Sequence, residues 1–158
     1  MTSTDMRAAR AASKTQQGFS FIELLVTMVI VGIITAVAVP SYGSYVLRTA
    51  RADARATMLQ VNQFMERFYA MNSAYDQRLD GAAVALPPAL TTVPSGAAKP
   101  RFIVSIDAAT LTPNSYTIQA VPANASASDT CGTLTLSSVG ARGASGTSTA
   151  AELNSCWK

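Results

Sequence analysis

The chain opens with a polar, basic stretch and passes abruptly into an apolar one. Residues 1–18 are followed by a segment that contains the uncharged run LLVTMVIVGIITAVAV, which ends at Val39. A helix of about 20 apolar residues is long enough to cross a bilayer, so the pattern predicts a transmembrane helix over residues 19–40. One charge, that of Glu23, lies near the start of this segment. A charge inside a membrane helix costs roughly 2.5–3.5 kcal/mol and marks function, so Glu23 is expected to have a partner.

Beyond residue 40 the helical pattern continues but becomes amphipathic. Apolar residues recur at spacings of three and four, which places them on one helical face. This face predicts a helix that runs to about Met71, followed by the stop signals Asn72 and Ser73. The core stripe is formed by Met58, Val61, Met65 and Phe68, widened by Leu59, Phe64 and Tyr69.

The second half of the chain reads as strands and loops. Residues 74–100 are rich in proline and small residues, which indicates a loop region. Three segments follow with strand-forming or alternating patterns, at residues 101–106, 115–121 and 132–137. The predicted fold class is α+β, with a long N-terminal helix packed on a three- to four-stranded antiparallel sheet. The tail over residues 140–149 is rich in Gly, Ser and Ala and is expected to be held only by its ends.

A small residue stands at the junction between the basic stretch and the apolar segment. Gly18 precedes the apolar run, whereas a secretory signal has its small-residue cleavage site after that run. Cleavage after Gly18 would remove the basic residues, keep the helix, and create an amino terminus at Phe19, four residues from Glu23. The basic residues themselves predict a cytoplasmic location for this end. They are Arg7, Arg10 and Lys14, with Asp5 as the accompanying acid.

This junction, GFSFIELLVTMVIVGIITAVAVPSY, resembles the leader and first helix of type IV prepilins. The family pattern of Gly, Phe, a Glu at the fifth mature position and a long apolar helix matches Gly18, Phe19 and Glu23, with Pro40 inside the helix. The resemblance implies that a prepilin peptidase cuts after Gly18 and N-methylates Phe19. It divides the chain into a leader (1–18), a transmembrane and assembly helix (19–40) and a periplasmic head with a C-terminal disulfide loop (41–158). A plain signal anchor with a chance Glu explains the length of the apolar run but not the order of these features.

Downstream segments are similar to PilE-type minor pilins of type IVa pili. The likeness covers nearly the whole chain, although only its first third is specific to the superfamily. The segments that carry it are 51–55 (RADAR), 63–69 (QFMERFY), 131–136 (CGTLTL), 140–146 (GARGASG) and Cys156-Trp157.

Two cysteines, Cys131 and Cys156, lie in the part expected to be exported. An even count in an oxidising compartment predicts one disulfide, worth about 3 kcal/mol on the chain-entropy model. A zinc site would need more ligands, since the chain has no histidine and no further cysteine. The absence of histidine also excludes Ser-His-Asp and Cys-His catalysis. The chain is therefore expected not to be an enzyme and to need neither metal nor cofactor.

The net charge of +3 gives little support for nucleic-acid binding. The leader contributes +2 of it, from three basic residues and one acid, which leaves the processed chain near +1 in side-chain charge. A basic patch for DNA is the weaker interpretation, and scattered surface charge is the stronger one. The residues of that patch would be Lys99, Arg101, Arg142 and Lys158.

The favoured function is that of a structural minor pilin, which supports pilus assembly and hence adhesion, twitching motility or DNA uptake. The expected location is the inner membrane, with the head in the periplasm, and then the extracellular pilus. The expected partners are other pilins in a helical fibre, the prepilin peptidase, the inner-membrane assembly machinery and membrane lipid. A major pilin and a type II secretion pseudopilin are alternatives, and a signal-anchored periplasmic binding domain is a weaker one.

The first prediction concerns the junction at Gly18. Intact-mass analysis of the mature protein from membranes should find an amino terminus at Phe19 that carries a methyl group. A bulky residue in place of Gly18 should block cleavage, because the peptidase must approach the backbone there. Retention of Met1 in the mature pool would contradict the prediction.

Overall fold

The computed structural model describes residues 18–158, except for the side chains of residues 37–41. It divides into two compact units, Met1–Pro40 and Ser41–Lys158. The predicted leader, apart from Gly18, lies outside the described residues, as do its charged side chains at positions 5, 7, 10 and 14.

The first helix, α1, spans Phe21–Asn72. In the first unit, every described residue from 18 to 36 is exposed, although most are large and apolar. A helix that is apolar all round needs lipid or other helices about it. Among the residues described, no helical stretch meets the combined length and hydropathy that a membrane crossing requires.

In the second unit, one stripe of α1 forms the core of the head. The predicted core residues Met58, Val61, Met65 and Phe68 are all buried, and the stripe extends back through Ala50 and Ala54. The prediction that Leu59 and Tyr69 widen the stripe is wrong, since they are exposed. Each follows a buried residue directly, and one step along a helix turns the side chain by about 100° away from the core face. The helix ends at Asn72, and Ser73 adopts a positive φ of 58°.

Within the described residues, five antiparallel strands form one sheet, and their order in the sheet is the same as their order in the sequence. They are β1 (Thr92–Val93), β2 (Phe102–Ile106), β3 (Thr117–Pro122), β4 (Leu134–Ser137) and β5 (Arg142–Ala144). The predicted count of three or four strands is too low, because the prediction did not include the two short edge strands. β1 has two residues and β5 has three, and segments this short show no alternating pattern. They are strands because their backbones pair with a neighbour, β1 with β2 and β5 with β4. Short 3₁₀ turns lie at Pro88–Leu90 and Asn124–Ser126.

The inner face of the sheet packs on the α1 stripe. Phe102 and Val104, Ile118 and Ala120, and Leu134 and Leu136 are buried at alternating positions of the three central strands. The cross-strand register aligns them, with Val104 opposite Ala120 and Ile118 opposite Leu136. Burial at period two confirms the predicted strand segments.

The C-terminal segment is more structured than the sequence indicates. A disulfide joins Cys131 to Cys156, as predicted. A second helix, α2 (Ala150–Cys156), begins with a capping box in which Thr149 and Glu152 satisfy each other's backbone N–H groups. Gly146 packs directly against the backbone at Thr130, where a Cβ atom would collide with it. The expectation that the tail is held only by its ends is therefore wrong.

A salt bridge ties α1 to the segment that precedes Cys131. The Arg51 guanidinium donates to both carboxylate oxygens of Asp129, with Nη2–Oδ1 at 2.6 Å and Nε–Oδ2 at 2.7 Å. The Asp129 side chain is fully buried, and its Oδ1 also accepts from the Cys131 N–H at 2.9 Å. The bidentate geometry satisfies both carboxylate oxygens, so the charge pair fixes the loop against the helix.

The second prediction follows from this burial. Arg51→Gln should lower the free energy of unfolding by about 3 kcal/mol, because it leaves the Asp129 carboxylate buried without its cation. Unfolding by denaturant, followed by the fluorescence of the single Trp157, measures the change. Arg48→Gln is the matched control, since Arg48 is exposed one turn earlier on α1. Equal stability of the two variants would contradict the prediction.

Candidate functional site

A groove lies between α1 and the turn that joins β4 to β5, and the indole of Trp157 also lines it. It encloses about 490 Å³. We call it the α1–hairpin groove. Its lining residues are Ala52, Arg55, Ala56, Leu59 and Asn62 from α1, Leu136, Ser138, Gly140 and Arg142 from the hairpin, and Trp157.

Two arginines at the groove have no acidic partner in the part of the chain that the structure describes. Arg51–Asp129 is the one salt bridge within residues 18–158, so Arg55 and Arg142 form none there. Arg55 follows Arg51 by one helical turn and is partly buried. Burial lowers the pKa of Arg55, and the nearby charges of Arg51 and Arg142 lower it further. Arginine nevertheless remains charged at neutral pH, so the groove concentrates positive charge that an anion would stabilise.

Trp157 orients the second of these arginines. The Cζ atom of Arg142 lies 5.4 Å from the centre of the indole ring, which is a cation–π contact. The indole Nε1 donates to the carbonyl oxygen of Gly143 at 3.0 Å, so the ring is fixed to β5. Since Cys156 is joined to Cys131, the residue before the tryptophan is fixed as well. The Arg142 side chain is thus supported at the mouth of the groove.

A buried phenol, that of Tyr116, lies within hydrogen-bond distance of Asn62, a polar residue that lines the groove. The Tyr116 hydroxyl lies 2.8 Å from Asn62 Oδ1 and 2.9 Å from Glu66 Oε1, and its single proton serves one acceptor at a time. Burial raises the pKa of Tyr116, and the hydrogen bond and charge of Glu66 raise it further. The phenol is therefore neutral at physiological pH and holds Asn62 in place.

The β4–β5 turn forms the opposite wall. The Gly140 N–H donates to the Ser137 carbonyl at 2.9 Å, and the Ala141 N–H donates to Ser137 Oγ at 3.0 Å. Gly140 has a φ of 82°, a conformation that glycine adopts without strain. The residue before Gly140 in this turn, Val139, is 87% exposed.

The structure separates two of the basic residues that the sequence groups together. Arg142 lies at the α1–hairpin groove, whereas Arg101 lines two other grooves, both beside Val46 of α1. The interpretation in which Arg101 and Arg142 belong to one basic patch is therefore wrong. Arg55 and Trp157 were not predicted from the sequence as neighbours of Arg142. The sequence places Arg55 one helical turn after Arg51 and Trp157 directly after Cys156, but neither feature brings them to Arg142.

The predicted processing and assembly residues lie in the first unit. Gly18 and Phe19 precede α1, and Glu23 lies in its first turn. A carboxylate in the first turn interacts favourably with the positive end of the helix dipole. All three residues are exposed.

Comparison with known families decides which class of protein this is. A family model described as "Type IV minor pilin ComP, DNA uptake sequence receptor" matches residues 40–135. The chain belongs to this family of type IV minor pilins. A second model, the prokaryotic N-terminal methylation motif, matches residues 13–39 and so covers Gly18, Phe19 and Glu23.

Relatives and solved structures resemble parts of the chain. Two type IV major pilin proteins PilE1 from Neisseria gonorrhoeae are each 33% identical over 73 residues, which is 46% of this chain and 44% or 41% of theirs. The match thus spans less than half the length of either relative. The non-core minor pilin PilV of Neisseria meningitidis is 25% identical, with a TM-score of 0.47 over 68% of this chain and 94% of its own. A type IV pilin from Shewanella oneidensis is 27% identical, with a TM-score of 0.38 over 61% of this chain and 89% of its own.

Membership of the family confirms the predicted structural role. The chain is a type IV minor pilin that carries the N-terminal methylation motif. The family is one of pilin subunits and not of enzymes. Arg55 lies within the region matched to the minor pilin family, whereas Val139, Arg142 and Trp157 lie beyond its end at residue 135.

Proposed function

We propose that this minor pilin binds DNA through its head and serves DNA uptake by the pilus. The proposal rests on Arg55 and Arg142 in the α1–hairpin groove, which form no salt bridge with any residue that the structure describes. The family description, which names a DNA uptake sequence receptor, supports the same ligand.

The groove has the chemistry of a site for the DNA backbone. Guanidinium groups bind phosphate through paired N–H donors and stay charged at any physiological pH. DNA binding also releases counterions, so the affinity falls as the salt concentration rises. The logarithm of the binding constant falls linearly with the logarithm of the salt concentration, with a slope of about −0.9 for each phosphate that the protein neutralises. Since the processed chain has a small net charge, attraction to DNA has to come from a local concentration of cations. The α1–hairpin groove supplies one such concentration.

The third prediction tests this site. Arg55→Gln and Arg142→Gln should each weaken binding of a short labelled DNA duplex by the full-length protein in detergent. The logarithmic salt slope should become shallower by about 0.9 for each phosphate that the variant no longer neutralises. Fluorescence anisotropy at several salt concentrations measures both quantities.

Arg78→Gln serves as the control for this experiment. Arg78 is exposed in the loop that follows α1 and does not line the groove. The variant should bind as the unmodified protein does. If both groove variants keep the original affinity and salt slope, DNA does not bind in the α1–hairpin groove.

The proposed route to the fibre begins with the leader. A prepilin peptidase removes residues 1–18 and methylates Phe19 while the protein spans the inner membrane with its head in the periplasm. The inner-membrane assembly machinery then moves it into the extracellular pilus. The methylation-motif match over residues 13–39 and the many exposed apolar side chains in the first part of α1 support this route.

Within the fibre, Glu23 is proposed to pair with the Phe19 ammonium of a neighbouring subunit. The side chains around Glu23 on α1 are apolar and exposed, so in an apolar bundle the carboxylate has few other partners. An ion pair is strong in a medium of low dielectric constant, and an unpaired charge there is penalised. The pairing would therefore fix the axial register of the subunit.

The fourth prediction separates assembly from folding. Glu23→Ala should reduce the amount of this pilin in sheared pili without lowering its amount in the inner membrane, since it removes a charge from the membrane segment. Glu23→Gln keeps the size and tests whether the charge itself is needed. Immunoblots of the two fractions measure both amounts. Unchanged incorporation of Glu23→Ala would contradict the pairing mechanism, and its loss from both fractions would assign Glu23 to stability instead.

A further inference from the structure

Val139 is the most exposed large hydrophobic side chain among those the structure describes, at 87%. Single exposed apolar residues are common on protein surfaces, so exposure alone marks nothing. Val139 differs because of its position. It stands at the tip of the β4–β5 turn, where Gly, Asn, Asp and Ser are the usual residues.

The turn holds Val139 in a defined place. The Gly140 N–H bonds to the Ser137 carbonyl at 2.9 Å, and the Ser137 N–H bonds to the Ala141 carbonyl at 2.9 Å. The Ser138 N–H donates to the Tyr116 carbonyl of the neighbouring segment, also at 2.9 Å. Ordering of this tip on binding would therefore cost little conformational entropy.

The tip also borders the cationic groove. Ser138 and Gly140, the two neighbours of Val139, both line the α1–hairpin groove, and Arg142 follows three residues later. A DNA strand held in the groove by its phosphates would bring the tip beside the backbone. The base edges are exposed on either side of that backbone, in the grooves of the duplex. A two-stranded β-ribbon fits the major groove, which is about 12 Å wide.

We propose that the β4–β5 tip enters a groove of the DNA duplex and that Val139 contacts base edges there, which makes it a determinant of sequence preference. This inference rests on the proposed DNA-binding function. It assigns separate roles to neighbouring residues. Arg55 and Arg142 bind the phosphate backbone of the DNA, which is the same in every sequence, whereas Val139 contacts the base edges, which differ between sequences. A valine side chain suits an apolar feature such as the thymine methyl group.

The test is selection from a pool of short duplexes with a randomised centre. The full-length protein in detergent binds the pool, and the bound fraction is sequenced. The unmodified protein should enrich a motif. Val139→Ser should lower the enrichment at one or two positions of that motif about fivefold or more, while its affinity for the unselected pool stays within about twofold.

Two further variants separate this inference from the function on which it rests. Leu79→Ser is the matched control, because Leu79 is 81% exposed on a different loop and does not line the groove, and it should enrich the motif fully. Arg55→Gln should weaken binding to all sequences and keep the ranking among them.

The outcomes that overturn the inference are distinct from those that overturn DNA binding. Full enrichment by Val139→Ser, or no motif with the unmodified protein, refutes the role of Val139 and leaves DNA binding intact. Loss of affinity for the unselected pool in Val139→Ser, equal to the loss in Arg55→Gln, refutes a reading role and assigns the residue to general binding. If the unmodified protein retains no DNA, the proposed function itself is wrong.

Discussion

The contact between the buried stripe of α1 and the inner face of the sheet is the interaction on which the rest of the head depends. Met58, Val61 and Met65 are fully buried in one cluster with Phe102, Ile118 and Leu134, so the helix supplies one side of the core. Each fully buried side chain of this size contributes roughly 1.5–3 kcal/mol. Because the stripe occupies one helical face, the residues beside it are left free to form surfaces. Arg55 and Asn62 are two of these, and they line the α1–hairpin groove.

The charges of the head follow from the same arrangement. Arg51 reaches the buried Asp129 and is neutralised, whereas Arg55 one turn later meets no acid and lies near other arginines. In the folded state this concentration of positive charge is unfavourable, and it becomes favourable when a polyanion binds. The disulfide and the α2 capping box hold Trp157 in place, and Trp157 in turn supports Arg142. The structured C-terminal segment thus contributes directly to the proposed site.

Local patterns predicted much of the fold. The 3.6-residue period identified the buried stripe of α1, and the period of two identified the segments of β3 and β4. The segment of β2 was identified by its strand-forming residues. The edge strands β1 and β5 were missed because pairing with a neighbour, not residue pattern, determines them. The α1–hairpin groove was missed for a related reason. It joins positions 55, 142 and 157, which are distant in sequence, and no local pattern indicates that Arg142 lies beside Arg55 and not beside Arg101. The contact of Trp157 with Arg142 was not predicted, because the position of Trp157 depends on how the disulfide loop folds.

The central claim is that DNA occupies the α1–hairpin groove, and arginine footprinting tests it most directly. The full-length protein would be treated with an arginine-specific dicarbonyl reagent, with and without duplex DNA, and the modified sites identified by mass spectrometry. The account predicts that DNA protects Arg55 and Arg142 and leaves the exposed Arg48 and Arg78 as reactive as before. Protection of Arg78 or Arg48 with Arg55 and Arg142 still reactive would contradict it.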